Sequence, residues 1–254
     1  MINRVAIVGA GNVAWHLAHA LRAAGCEIAE VHSRTAEKGK ELAESVSAQW
    51  VDALANIKDV DMVLVAVSDD QTASVCETLN AGLLVAHTSG MTHLESISRK
   101  RKAAFYPLQT FSKDKDVDLK NVPFCIETSD EYDLKAIENL ASKLSNDIQK
   151  IGSDQRQKLH LAAVFASNFV NHMYDSAQQI LKHSDLNFDL LKPLILEVAE
   201  KVQTMDPKEA QTGPAKREDI ATLNRHLDLL LEDPNNHDFY HIVTDRIMNL
   251  HNGE

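Results

Sequence analysis

The chain has 254 residues and a formal net charge of −11, long enough for one large core or two modest ones, with two domains favoured. Only one basic run, Arg99–Lys102, breaks the acidic balance; it reads as a solvated helix end, and the composition argues against a nucleic-acid partner, whose binding needs phosphate neutralisation. The three cysteines, Cys26, Cys76 and Cys125, lack the spacing of a disulfide framework or zinc knuckle, and no apolar stretch nears the roughly 20 residues that span a bilayer.

In chain order, short apolar runs predict strands at Val5–Val8, Ile28–His32, Met62–Val67, Leu83–Ala86, Ala103–Tyr106, Phe124–Glu127 and Ile148–Ile151. Helical spacing predicts helices at Asn12–Ala24, Ala36–Glu44, Gln71–Leu79 and Glu131–Leu144. This alternation is that of a mostly parallel sheet with crossover helices, and the continuous apolar runs put helices on both of its faces, giving a doubly wound α/β fold. After Gly152 the β-branched runs stop. Helices are expected from Ser153 to about Lys182, from Phe188 to Met205 with Pro193 kinking or restarting it, from Lys216 to Glu232, and from about Asn236 to Leu250. The domains are therefore residues 1–152, α/β, and 153–254, all-α. Met1–Arg4 leads straight into a strand without the layout of a signal peptide, and a reducing cytoplasm fits best.

Leu159–Tyr174 holds no charged residue, so its helix is expected to be buried nearly all round. A helical domain of this size has difficulty doing that alone, and a homodimer through this domain is the simplest remedy.

The turn Gly9-Ala10-Gly11-Asn12-Val13-Ala14 follows one apolar strand and opens a helix. Gly9 permits the sharp turn, Gly11 lets backbone approach a pyrophosphate, Ala14 allows close packing, and the first N–H groups of the helix, at Asn12 and Val13, face the phosphates. At the end of the second strand, where a carboxylate would select NAD, stand Ser33, Arg34 and Thr35, which suit a 2′-phosphate; NADP is favoured over NAD. Ser68-Asp69-Asp70 borders the cofactor, or Asp69 or Asp70 caps the next helix, and His87-Thr88-Ser89-Gly90 lies beside nicotinamide and substrate or is a plain turn. On the uncharged helix His160, Ser167 and Asn171 share one line with Asn168 beside it, either a satisfied interhelical network or a polar substrate wall with His160 as acid. Gln211–Pro214 with Arg217 and Asp219 either holds an anionic substrate group or is a capped helix start. His237 and His241 lack a third ligand, so no metal site is expected, and neither hydrolase nor kinase signatures occur.

On Val8–Ala14, His87–Gly90, Tyr106–Phe111, Phe165–Phe169 and Thr212–Pro214 through Arg217 and Asp219, the sequence resembles bacterial NADP oxidoreductases with a Rossmann-like domain and a helical C-terminal domain of unassigned function. Tyr106 stands where these relatives often have His, which weakens a catalytic role for its loop; Glu218 stands where they often have Gly. More distantly the layout is similar to pyrroline-5-carboxylate reductase, prephenate dehydrogenase and deazaflavin-dependent NADP reductases, which implies a dimerising helical domain. The expectation is hydride transfer between NADP and a small, anionic carbonyl, imine or hydroxy compound, with His160, Asn168 and Ser89 catalytic and Ser167, Asn171 and Arg217 on the substrate. The alternative is a non-catalytic NADP sensor or scaffold.

Overall fold

A computed structural model describes residues 1–182 and 184–252. The chain divides into two compact units, Met1–Asn168 and Phe169–Glu254. The first unit is built on an eight-stranded sheet: β1 (Arg4–Val8), β2 (Glu27–His32), β3 (Gln49–Trp50), β4 (Met62–Val65), β5 (Leu84–His87), β6 (Lys102–Pro107), β7 (Phe124–Thr128) and β8 (Ile148–Lys150), in the order β3-β2-β1-β4-β5-β6-β7-β8. All pairings are parallel except β6 with β7, which is antiparallel. Its helices are α1 (Asn12–Ala23), α2 (Ala36–Ser45), α3 (Asp69–Thr78), α4 (Glu131–Ala141) and α5 (Ser153–Ala163). The strand order reverses direction between β1 and β4, so the Gly9 turn leaves the sheet where ligands of open parallel sheets collect.

Local chemistry explains these elements. On α1, Ala14, Leu17, Ala18 and Leu21 recur at helical spacing and are fully buried. Gly25 at φ +86 lets the chain turn into β2. The centre of β4 is buried on both faces, as its unbroken apolar run requires. The edge strand β3 escapes sequence detection because it has only two residues. Trp50 on it packs against Gly39, where an added Cβ would come within 2.8 Å of the indole nitrogen.

The basic run Arg99–Lys102 is a correction: it is no solvated helix end. It leads into β6, and the Arg99 guanidinium donates to the carbonyls of Cys76, Leu79, Asn80 and Leu83, closing the chain after α3. Arg101 grips the fully buried Asp133 carboxylate through two hydrogen bonds of 2.6 and 3.1 Å, holding α4 to the strand edge.

The helical part begins at α5, directly after β8, and the sheet-bearing unit keeps the chain as far as Asn168. Between α5 and α6 (Val170–Lys182) lies one π-helical stretch, Val164–Phe169, where the Ser167 hydroxyl donates back to the Ala163 carbonyl. The second unit continues with α7 (Lys192–Lys201), α8 (Pro207–Ala210), α9 (Ile220–Leu229) and α10 (Pro234–Asn252). Pro193 starts α7, a restart of the helix expected from Phe188. The expected burial of Leu159–Tyr174 is not met within a single chain. Leu161 and Phe165 in the first unit and Phe169 and Met173 in the second are all exposed, as are Leu190, Leu194, Leu196 and Leu229 further on. Among the described residues of the second unit, those buried are Ala215, Leu223, Leu230 and Asn236. No helix among the described residues is long and apolar enough to cross a membrane.

Candidate active site

A cleft of about 650 Å³ lies at the carboxyl ends of β1, β2, β4, β5 and β6, lined wholly by residues of the first unit. Gly9 and Gly11 form its floor. Gly9 adopts φ +117, its N–H donates to the His32 carbonyl at 2.8 Å, and a Cβ there would lie 2.0 Å from the Ala66 carbonyl oxygen. Gly9 thus serves the turn and the close passage of β1 against β4. Gly11 is different: a Cβ there would meet no protein atom, so its bareness leaves room for something other than this chain. It is the N-cap of α1 and offers no side-chain cap, leaving the first helical N–H groups facing the cleft. Asn12 and Val13 line the same wall, and the Asn12 amide donates to the Phe111 carbonyl at 2.9 Å, tying the loop after β6 over this end.

At the far end stand Ser33, Arg34 and Thr35, joined by Lys38 from the first turn of α2. No carboxylate occupies the tip of β2. Its last residue, His32, is turned to the Val51 carbonyl, and Glu30, two residues earlier, accepts the Lys58 N–H. Ser68 lines the cleft opposite as the N-cap residue of α3. The neighbouring Asp70 carboxyl is held below its ordinary range, chiefly by hydrogen bonds from Ser68 and Gln71, with Arg34 adding a weaker pull.

The third wall comes from β5, β6 and α5. Ser89 follows β5, and its hydroxyl oxygen accepts the N–H groups of both Met91 and Thr92, at 3.1 and 2.8 Å. His160 reaches the cleft from α5, its ring seated on Gly90, where a Cβ would come within 2.6 Å of the imidazole. Its Nδ1 shares a hydrogen bond of 2.9 Å with the Tyr106 hydroxyl, the two rings meeting edge to face. Burial pushes the Tyr106 hydroxyl up to about 12, so it holds its proton at neutral pH. Tyr106, which stands where the resemblance expects His, lines the cleft and hydrogen-bonds His160 directly. Sequence reasoning passed over this pair because a lone aromatic at a strand end carries no spacing; its place at the carboxyl end of a parallel strand was the available clue.

Of the other expected contacts, Ser167 is bonded to Ala163 and Asn168 within its own helix, and neither it nor Asn168 lines the cleft. Asn171 and Arg217 belong to the second unit and are exposed. Asp219 caps α9 by accepting the Thr222 N–H and hydroxyl. No group of three or more metal-binding side chains occurs among the described residues; His241 pairs with Asp245.

A solved structure from Bacteroides fragilis, BF3122, assigned as an NADP oxidoreductase, is 38% identical, with 98% of each chain covered and a TM-score of 0.91. The chain belongs to this NADP oxidoreductase family. Residues 4–88 of the oxidoreductase match the family described as NADP oxidoreductase coenzyme F420-dependent, and residues 122–247 match a domain of unknown function, DUF2520. Protein TM1727 from Thermotoga maritima is 24% identical over 97% of this chain and 98% of its own, with a TM-score of 0.81. An imine reductase from Myxococcus stipitatus, solved with NADP+, is 16% identical over 97% and 92% at a TM-score of 0.63, a likeness of fold alone. No curated protein matches the sequence. The cofactor of the oxidoreductase is NADP, and the bare Gly11, the uncapped α1 and the cations beside Ser33 fit that cofactor.

Proposed function

We propose that this oxidoreductase reduces a small carbonyl or imine, or oxidises the corresponding hydroxy compound or amine, with His160 as the acid that completes the reduction. The carrying observation is the 2.9 Å hydrogen bond between His160 Nδ1 and the Tyr106 hydroxyl inside the cleft that holds the glycine turn. When bound, NADPH supplies the hydride to the substrate carbon. The remaining task is a proton for the oxygen or nitrogen that gains the electron pair. With Nδ1 engaged by Tyr106, the Nε2 of His160 is the nitrogen left for substrate, and the phenol fixes the ring that presents it. Ser89 adds a hydroxyl donor on the same wall, and Gly9, Gly11, Asn12 and Val13 carry the pyrophosphate, with Ser33, Arg34 and Thr35 on the 2′-phosphate.

The test is NADPH consumption over a panel of small oxo acids, ketones and cyclic imines. With an accepted substrate, His160→Asn should lower kcat by about 10²-fold while leaving NADPH affinity unchanged. Wild-type turnover in that variant would remove His160 from the role, and tight NADPH binding with no substrate consumed by the wild type would favour a sensor.

We further propose a homodimer through the helical residues. Its support is the exposure of Met173, Leu190, Leu194, Leu196 and Leu229 on the second unit, where few side chains among the described residues are buried. Light scattering at micromolar concentration should give twice the chain mass; a stable monomer would refute it.

A further inference from the structure

Arg156 is fully buried, an unusual place for a guanidinium. It lies in the first turns of α5, one helical turn before His160. Its Nη1 is paired with Glu127 on β7, and its Nη2 donates to the Thr92 carbonyl at 2.5 Å and to the Ser153 hydroxyl oxygen at 3.2 Å. Ser153 in turn donates to the same Glu127 carboxylate at 2.7 Å and accepts the Leu94 N–H at 2.9 Å. This cluster joins three separate pieces of chain: the end of β7, the start of α5, and the loop after β5 that carries Ser89 and Gly90. None of these groups lines the cleft, and the hydride-transfer reading uses none of them.

We propose that Arg156 is the positioning residue of this site, locking α5 onto the loop after β5 so that His160 is held between Gly90 and the Tyr106 hydroxyl. The inference rests on the reading of His160 as the acid. The physical argument is one of leverage. A helix tied to that loop only by the Ser153 hydroxyl and the exposed Gln157 amide, which donates to the Met91 carbonyl at 2.7 Å, could still roll enough to carry His160 off Gly90 and break its bond to Tyr106. Arg156 resists this because its planar fork bridges two buried anchors at once, a carboxylate on β7 and a carbonyl on the loop, where a single donor leaves more rotation free. Gly90 supplies the other half of the lock, since its bare backbone is the seat on which the ring rests. The buried charge also reaches Tyr106 and His87: it favours the ionised phenol and disfavours protonation of His87. Displacing Arg156 would therefore disturb the electrostatics of the wall as well as its geometry.

The experiment reads His160 itself, in the full-length protein with NADP bound, by 15N shifts of its imidazole. Wild type should show one ring tautomer, fixed by Tyr106. Tyr106→Phe removes that partner and should release the ring to a mixture. Arg156→Met should reproduce the Tyr106→Phe spectrum with NADPH affinity within about 3-fold of wild type, and Arg156→Lys, which keeps the charge without the fork, should restore the wild-type tautomer only in part. If Arg156→Met does not fold, Glu127→Gln, which leaves Arg156 present but weakens its anchor, should shift His160 in the same direction. A wild-type His160 spectrum in folded Arg156→Met, or in Glu127→Gln where Met is not tolerated, overturns the proposal, as does a Tyr106→Phe spectrum identical to wild type. With an accepted substrate, kcat should fall by about 10²-fold with the His160 shift, as for a misplaced catalytic group. The spectra need no turnover. A chain that fails to reduce any substrate but shows these shifts rejects the proposed reaction and keeps the positioning role.

Discussion

Replacing Gly9 and Gly11 by Ala separates two reasons for having a glycine. At Gly9 an added Cβ sits 2.0 Å from the Ala66 carbonyl oxygen, so that segment must retreat by about 1.5 Å to restore ordinary packing near 3.5 Å. Ala66 donates its N–H to the Val8 carbonyl at 2.7 Å, and its chain continues into Ser68 on the opposite cleft wall, so the retreat strains the sheet and reshapes the site together. The backbone at φ +117 adds about 1–3 kcal/mol of strain for any residue with a Cβ, and the displaced packing about 1–3 more. Gly9→Ala should therefore cost about 2–6 kcal/mol and lower Tm by about 4–24 °C. Gly11→Ala has ordinary backbone and open space around its Cβ, so its Tm should match wild type within about 1–2 °C, while NADPH affinity falls about 10-fold or more because the methyl occupies the cofactor's approach. Thermal melts without cofactor and calorimetric titration with NADPH measure both effects. An undisturbed Tm in Gly9→Ala, or wild-type NADPH binding in Gly11→Ala, would refute the assignment.

Three further outcomes follow from individual residues. Arg34→Ala should weaken NADPH by about 10- to 100-fold and leave NADH nearly unchanged, the loss of charge-assisted bonds to a phosphate; equal losses for both would remove Arg34 from the 2′-phosphate. Glu218 holds φ +53, a backbone conformation that favours glycine, so Glu218→Gly should raise stability by about 0.5–1 kcal/mol in urea melts, and a decrease would show that its side chain matters more than its backbone. His87 is buried, and desolvation, aided by Arg156, pulls its pKa down to about 3. The unfolded chain thus takes up the proton first, near 6.5, and stability is lost as pH falls from about 6.5 toward about 3. His87→Gln should flatten that slope by about 1–2 kcal/mol between pH 7 and pH 5, and identical slopes in the two proteins would place the acid sensitivity elsewhere.

The sheet was legible in the sequence where a run of apolar residues had to be covered on both faces, as in β1 and β4. Its two-residue edge β3 was not, because two residues carry no period. Nor was the reversal at β7, since Phe124–Glu127 has the same composition in either direction and only pairing with β6 fixes its sense. The cofactor end of the cleft was readable because glycine geometry and helix termini impose local rules. The opposite wall was harder. His160 is identifiable on its helix, but its partners Tyr106 and Gly90 come from a distant strand and a distant loop, and Arg156 reads as an ordinary surface charge until burial shows that it has none of the surface. Within the first unit Ser167 and Asn168 do not line the cleft that His160 reaches; the expected line assumes an even helix, and Val164–Phe169 is π-helical.

One small group sets a rule for whatever enters the cleft. The Ser89 oxygen already accepts two backbone N–H groups, so its lone pairs are spent and its proton is what it has left to offer. A hydroxyl in bulk solvent is ambidextrous; this one has been made one-handed by the turn that carries it. A visitor presenting an oxygen or an unprotonated nitrogen at that point is answered, and one presenting an N–H or O–H is left facing a filled acceptor.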